Sequence, residues 1–218
     1  MSKLMTANEF IRKLKMTAQL KTVYVLGGWG VRLTEEGKIR AINSYPYNSD
    51  EARKTEIMNC DENSFGFDCS GLIKGILWGF SGTKSTNGGA IYKANGVPDA
   101  NAKGLIELCD EVNVCTSARN IAPGSMLWMD GHCGVYVGDG QVIECTPVWN
   151  DGVQETKFGA RNWKKYGKLP WIDYDVSNAG LNREMMQVRL DAANDLLTSI
   201  LNDINTVRSM LYDIKSME

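Results

Sequence analysis

Histidine is almost missing from this 218-residue chain: His132 is the only one. Any reaction that needs an imidazole near neutral pH therefore has a single candidate for it. The six cysteines (Cys60, Cys69, Cys109, Cys115, Cys133 and Cys145) include no Cys-x-x-Cys pair, and His132 sits directly beside Cys133. Those spacings match no common zinc cluster, so no metal or other cofactor is expected. No run approaches the ~18 consecutive apolar residues of a membrane span, and the opening MSKLMTANEFIRKLK lacks the apolar core of a secretory signal. A surplus of charge is missing as well. The formal net charge is -2, which leaves no broad basic field to hold nucleic acid by counterion release. The expectation from these absences is a protein made in the cytoplasm, with reduced thiols, no disulfide framework and no polyanionic partner.

What is present suits one main folded domain with an appended segment, at 43% hydrophobic and 23% charged residues. Thr6 and Glu9 form a possible capping box, and Phe10, Ile11, Leu14 and Ala18 recur at helical spacing, which predicts a helix over 6–20. TVYVLGG reads as a short strand broken by glycine. Between Val31 and Ser64 the chain is polar, with turn signals at Tyr45-Pro46 and Asn48-Ser49-Asp50, and no chemistry can be assigned to it. From Ser70, the residues Leu72, Ile73, Ile76, Leu77 and Phe80 share one helical face, while Gly71, Gly75 and Gly79 recur every fourth position and invite a close backbone neighbour. A further helix is predicted over 101–112, then strands at MLWM, CGVYVG and QVIECT. After SNAG near 177–180, Leu190, Ala193, Leu197, Ile200, Ile204, Val207, Leu211 and Ile214 alternate three and four apart, the heptad pattern of a coiled coil. That stripe predicts self-association or docking through residues 181–218.

Cys69 opens a helical pattern in FDCSGLIKG, and His132 opens a strand in GHCGVYVGDG. A thiol is a strong nucleophile only as thiolate, and a helix N-terminus and an imidazole both lower its pKa. The competing reading of Cys69 is a small buried residue, and of His132 a hydrogen-bonded loop histidine. A third member depends on the turn. If Gly138-Asp139-Gly140 is a three-residue loop, Val137 pairs with Gln141, Gly134 lies opposite Glu144, and His132 and Glu144 share a face. A two-residue Asp139-Gly140 loop sends Glu144 to the other face. Asp130 is a weaker rival for the same role.

With these residues in place, the sequence resembles the NlpC family of papain-like cysteine peptidases, which cut bacterial cell-wall peptides. The resemblance runs through YVLGG at Tyr24 to Gly28, FDCSGL at Phe67 to Leu72 and HCGVYVGDG at His132 to Gly140, over about residues 20 to 147. It implies an α+β papain-like fold, an antiparallel sheet packed with helices, over residues 1–176. It implies Cys69 as nucleophile, His132 as base, Glu144 as orienting residue and Tyr24 as a hydroxyl donor near the oxyanion, with Asp68 and Ser70 recognising the peptide's amino end. Two features depart from the family: the long stretch from Val31 to Ser64, and a glutamate at a position more often histidine. The glutamate is reminiscent of CHAP amidases.

The later ECTPVWNDGVQET and RNWKKYGKLPWIDY look like phage and prophage lysins, whose wall groove Trp149, Trp163, Tyr166 and Trp171 could line, although such aromatics are more often core. The expected activity is hydrolysis of a D-glutamyl-diamino-acid bond in peptidoglycan by a protein that reaches the wall from the cytoplasm. The alternatives are an N-acetylmuramoyl-L-alanine amidase and a non-catalytic phage structural or wall-binding module.

Overall fold

The computed structural model describes residues 3–175, together with Leu197 and Ile204. The rest of the heptad-patterned tail lies outside the described residues, and so does the helix and self-association expected of it. No helix among the described residues is long and apolar enough to cross a membrane.

The chain starts with strand β1 (Met5–Thr6) and helix α1 (Ala7–Ala18), whose N-cap hydroxyl, Thr6 Oγ1, accepts from the Glu9 N–H at 3.1 Å. Phe10, Ile11 and Leu14 form its buried stripe, as their spacing predicts. Strands β2 (Thr22–Tyr24) and β3 (Trp29–Arg32) follow, and then the segment that had read only as polar turns folds into three short helices: α2 (Glu35–Ser44), α3 (Pro46–Ser49) and α4 (Glu51–Asn59). The turn signals were helix starts. Pro46 occupies the first turn of α3, where a missing N–H costs nothing, and Asp50 caps α4 by accepting from Ala52 N–H at 3.2 Å. These helices close over Val23, Val25, Leu33, Ala41, Ile42 and Ile57, a small core of their own.

Strand β4 (Phe65–Phe67) lies between β2 and β3 in a three-stranded sheet and leads directly into α5 (Cys69–Leu77), every residue of which is buried. Burial on all sides explains its glycines. A Cβ at Gly71 would overlap the Gly28 carbonyl oxygen, and one at Gly75 would lie 2.6 Å from the Trp29 carbonyl oxygen. Gly79 has a different use: it follows the helix end in a left-handed conformation, φ 99°.

Helix α6 (Ala102–Leu108) is shorter than its sequence pattern predicts, because the chain turns extended at Cys109 and Asp110–Val114 joins the main sheet as exposed edge strand β5. The β-branched Val112 and Val114 suit that role better than a helix terminus. The remaining strands are β6 (Met126–Met129), β7 (His132–Gly138), β8 (Gln141–Thr146), β9 (Gly152–Lys157), β10 (Lys165–Lys168) and β11 (Ile172–Asp173). Five of these join β5 in a six-stranded antiparallel sheet of order β5-β10-β6-β7-β8-β9, and β1 pairs with β11 separately. The result is an α+β fold with α5 against one face of the antiparallel sheet, on Cys133, Val135, Ile143 and Cys145.

Gly71→Ala tests the close approach at the head of α5. In an open helix this change adds up to ~1 kcal/mol of stability, whereas here it should remove about 1–3 kcal/mol through overpacking against backbone. Urea unfolding measures the sign, and a stabilised variant would contradict the packing described.

Candidate active site

Asp68 fixes where α5 begins. Its Oδ1 accepts from the Gly71 N–H at 2.5 Å and from the Ser70 hydroxyl at 3.0 Å, and its Oδ2 accepts from the Gly27 N–H at 2.8 Å. Cys69 is thereby the first helical residue, where unpaired N–H groups and the helix dipole favour an anion. Of Asp68 and Ser70, expected at the amino end of a substrate, the Asp68 Oδ1 and the Ser70 hydroxyl meet in the helix cap, while Asp68 Oδ2 is held by Gly27.

His132 is the first residue of β7, and its position relative to Glu144 is settled by the hairpin. The loop is the two-residue one: Gly138 pairs with Gln141, and both Asp139 (φ 51°) and Gly140 (φ 71°) are left-handed. A register shift between Tyr136 and Gly138 then inserts one extra residue and returns Gly134 opposite Glu144. The expected Val137–Gln141 pair is thus corrected, while the shared face survives. A Cβ at Gly134 would stand 3.3 Å from Glu144 Cβ, so glycine leaves the carboxylate its path across the strand.

Glu144 Oε2 lies 2.6 Å from His132 Nε2, which leaves Nδ1 as the nitrogen for Cys69. The same carboxylate oxygen accepts from Arg161 Nε at 2.7 Å, and Oε1 accepts from the Thr156 hydroxyl at 2.6 Å. Arg161 also donates to Thr146 Oγ1 at 2.9 Å and stacks over the Trp149 ring, 4.7 Å from its centroid. Trp163 is buried and lies parallel to His132, with ring centroids 5.8 Å apart. Trp171 is in the core, Tyr166 is half-buried, and Trp149 alone of these four is mostly exposed, at 56%. Asp130 pairs with Lys164 instead of His132.

The electrostatics follow from this packing. A hydrogen bond from the Cys133 thiol lowers the Cys69 pKa most; burial opposes it, and the His132 imidazole lowers it further, so that Cys69 is brought down to about 4. Burial works against a charged His132, but its hydrogen bonds to Cys69 and Glu144 outweigh that and raise it above its ordinary 6.5. Burial likewise opposes the Glu144 charge, and His132, Thr156 and Arg161 together more than compensate, holding it below the usual carboxylate range. Tyr24 is pushed up by burial and by the negative charges of Cys69 and Asp68, so it keeps its proton beside the thiolate. Thiolate, imidazolium, carboxylate and guanidinium therefore alternate in sign along one line. Such a site can attack a carbonyl, hold the resulting oxyanion and deliver a proton.

Cys133, Thr156 and Arg161 carry no signal in the sequence that marks them as site residues, and Trp163, named there as a groove aromatic, instead packs buried against His132. Only the period-two alternation of QVIECT and GVQETK, once their register is known, places Thr156 near Glu144, and nothing local marks Arg161.

No protein-family model matches the chain, and no curated protein does. Solved structures similar to it include the following three. NlpC1 from Trichomonas vaginalis aligns at 16% identity and a TM-score of 0.41, over 77% of this chain and 45% of that one. NlpC2 from the same organism gives 15% and 0.36, over 75% and 46%. The P60 domain of an antigen from M. avium subspecies paratuberculosis gives 16% and 0.41, over 77% and 98%. The chain thus spans less than half the length of the two Trichomonas proteins. A likeness this distant leaves the chemistry to the geometry.

The lowered thiol has a direct consequence for alkylation. Iodoacetamide should modify Cys69 selectively at pH 6, since burial raises Cys60, Cys109, Cys115 and Cys145, and the hydrogen bond to Cys69, with burial, raises Cys133. The rate should fall only as pH approaches about 4, and Cys133→Ala should move that midpoint upward. Peptide mapping by mass spectrometry reads both. A Cys69 that reacts only above pH 8 would contradict the assignment.

Proposed function

We propose that the chain is a cysteine hydrolase of amide bonds in the stem peptides of bacterial peptidoglycan, with Cys69 as nucleophile, His132 as general acid and base, Glu144 as orienting carboxylate and Tyr24 as oxyanion donor. The observation that carries this reading is the alternating line of charge from Cys69 through His132 and Glu144 to Arg161. A structural cysteine needs no lowered pKa and no braced imidazole.

In this mechanism the Cys69 thiolate adds to the scissile carbonyl carbon and the carbonyl electron pair moves to oxygen. The Cys69 main-chain N–H at the helix start and the Tyr24 hydroxyl meet that oxyanion. His132 gives its proton to the nitrogen of the leaving amine as the C–N bond breaks, leaving a thioester. The neutral imidazole then takes a proton from water, the hydroxide adds to the thioester, and the C–S bond breaks to return the thiolate. Glu144, ionised throughout, keeps the ring oriented and stabilises its cation. Arg161 holds the same Glu144 oxygen that meets His132 and stacks on exposed Trp149, a ring suited to a sugar or peptide surface. Asp68 contributes charge beside Cys69 more than a free oxygen, and in that way attracts the amino end of a stem peptide.

The bond proposed is the one between D-glutamate and the diamino acid. Delivery from the cytoplasm in the manner of a phage lysin, and self-association through residues 181–218, belong to the same proposal and rest on the sequence.

Mass spectrometry of digested sacculi tests it. Wild type should release fragments cut within the stem, and Cys69→Ser, still folded by circular dichroism, should release none. Intact stem peptides freed from glycan would replace the endopeptidase with an amidase. Unchanged digestion by Cys69→Ser would overturn the cysteine mechanism.

A further inference from the structure

The three helices between β3 and β4 hold the segment Tyr24 to Leu26 at several points. Strand β2 is an edge strand, paired only with β4, so the Tyr24 N–H faces away from the sheet and needs an acceptor. Asp151 Oδ1 supplies one at 3.2 Å. Asp151 is itself gripped by both terminal nitrogens of Arg53 on α4: Nη1 donates to Oδ1 at 3.0 Å and Nη2 to Oδ2. The Arg53 side chain is only 8% exposed and that of Asp151 24%, so the two-pronged pair is held from the buried side, where the guanidinium fork fixes its geometry.

Two further contacts come from α3. The Tyr47 ring meets the Tyr24 ring edge-on, with centroids 6.0 Å apart. Fully buried Asn48 accepts from the Leu26 N–H at 2.9 Å and donates to the Leu26 carbonyl at 3.0 Å. The loop that carries Asp151 would not keep its shape unaided. Trp149 and Asp151 both have positive φ, 65° and 33°, a conformation that side-chain-bearing residues hold only where their surroundings impose it. Arg53 imposes it at Asp151, and Gly152 and Val153 complete the docking onto β2: a Cβ at Gly152 would lie 2.6 Å from the Thr22 carbonyl oxygen, and Val153 N–H donates to Thr22 Oγ1 at 2.9 Å.

We propose that this helical insertion is a brace for the oxyanion side of the active site, with Arg53 as a positioning residue that acts through Asp151 on Tyr24. The inference rests on the reading of Tyr24 as an oxyanion donor and adds what places it. A hydroxyl offered to a developing negative charge works only when it is already aimed, and a displacement near 1 Å is enough to lose most of its effect. The main-chain anchor at Tyr24 and the ring contact from Tyr47 restrain that aim from two directions.

Arg53→Lys keeps the charge and removes the two-pronged geometry, and Asp151→Asn keeps an acceptor for the Tyr24 N–H while ending the ion pair. Both are measured on a soluble stem tetrapeptide released from sacculi, alone and combined with Tyr24→Phe. Each should lower kcat about tenfold with KM within about twofold. Iodoacetamide should still modify Cys69 at the wild-type rate and with the wild-type pH midpoint. In the Tyr24→Phe background neither should cost anything more, since the group they position is gone. Losses that add to that of Tyr24→Phe, full activity in both variants, or a fall in alkylation parallel to kcat would overturn the brace. If Arg53→Lys does not fold, Asp151→Asn alone decides between the same outcomes. A wild type that leaves the tetrapeptide uncut, or a Cys69→Ser variant that cuts it, overturns the hydrolase reading first and the brace with it; full activity in Tyr24→Phe overturns the role given to Tyr24 and the brace with it, and leaves the hydrolase reading standing.

Discussion

A buried sulfur anion at the head of α5, facing a protonated ring at the head of β7, is the interaction on which the rest of the arrangement depends. Two charges removed from water are costly, and they persist only when each is satisfied on every side. Here the anion has the Cys133 thiol and the helix start, and the cation has Glu144. Glu144, fully buried, is in turn held by Thr156 and Arg161. Breaking any link leaves an unmatched charge on the next. The bulge before Gly138, the missing side chain at Gly134 and the glycine contacts of α5 are the backbone conditions for that chain of charges.

Much of this was legible in the residue order. Apolar spacing located α1 and α5, and the four-residue glycine repeat announced a close backbone neighbour, which proved to be the Gly28 and Trp29 carbonyls for Gly71 and Gly75. Strands β6, β7 and β8 fell where alternation put them. Where reading failed, the cause was local ambiguity. Proline and Asx residues at 46–50 serve turns and helix starts alike, so three helices looked like loop. Strand β5 was taken for the end of α6 because its five residues carry no buried face to reveal a period.

The active site was half legible. Cys69 and His132 stand out because each opens a periodic segment, and chemistry restricts which residues can serve as nucleophile and base. Glu144 required a register that two turn types would set differently, and the bulge that decides it leaves no mark in the sequence. Arg161, Thr156 and Trp163 reach the site from β9 and the segment after it, through long-range sheet pairing that no local pattern encodes. Asp68 and Ser70 carry a second duty that residue order does not reveal: the helix start and the Gly27 N–H use hydrogen bonds of the same side chains that stand beside the nucleophile.

The insertion between β3 and β4 gives the Tyr24 side of the cleft a support that the sheet alone does not offer, and it joins the small sheet to the β8–β9 loop. The central claim remains the ion pair, and because His132 is the only histidine, selective 15N labelling yields a single imidazole to follow by NMR. Its protonation midpoint should lie above the ordinary 6.5 and fall when Cys69 is replaced by serine, which removes one of the two partners that favour the cation. A ring that titrates at or below 6.5 and is indifferent to that replacement would contradict the account.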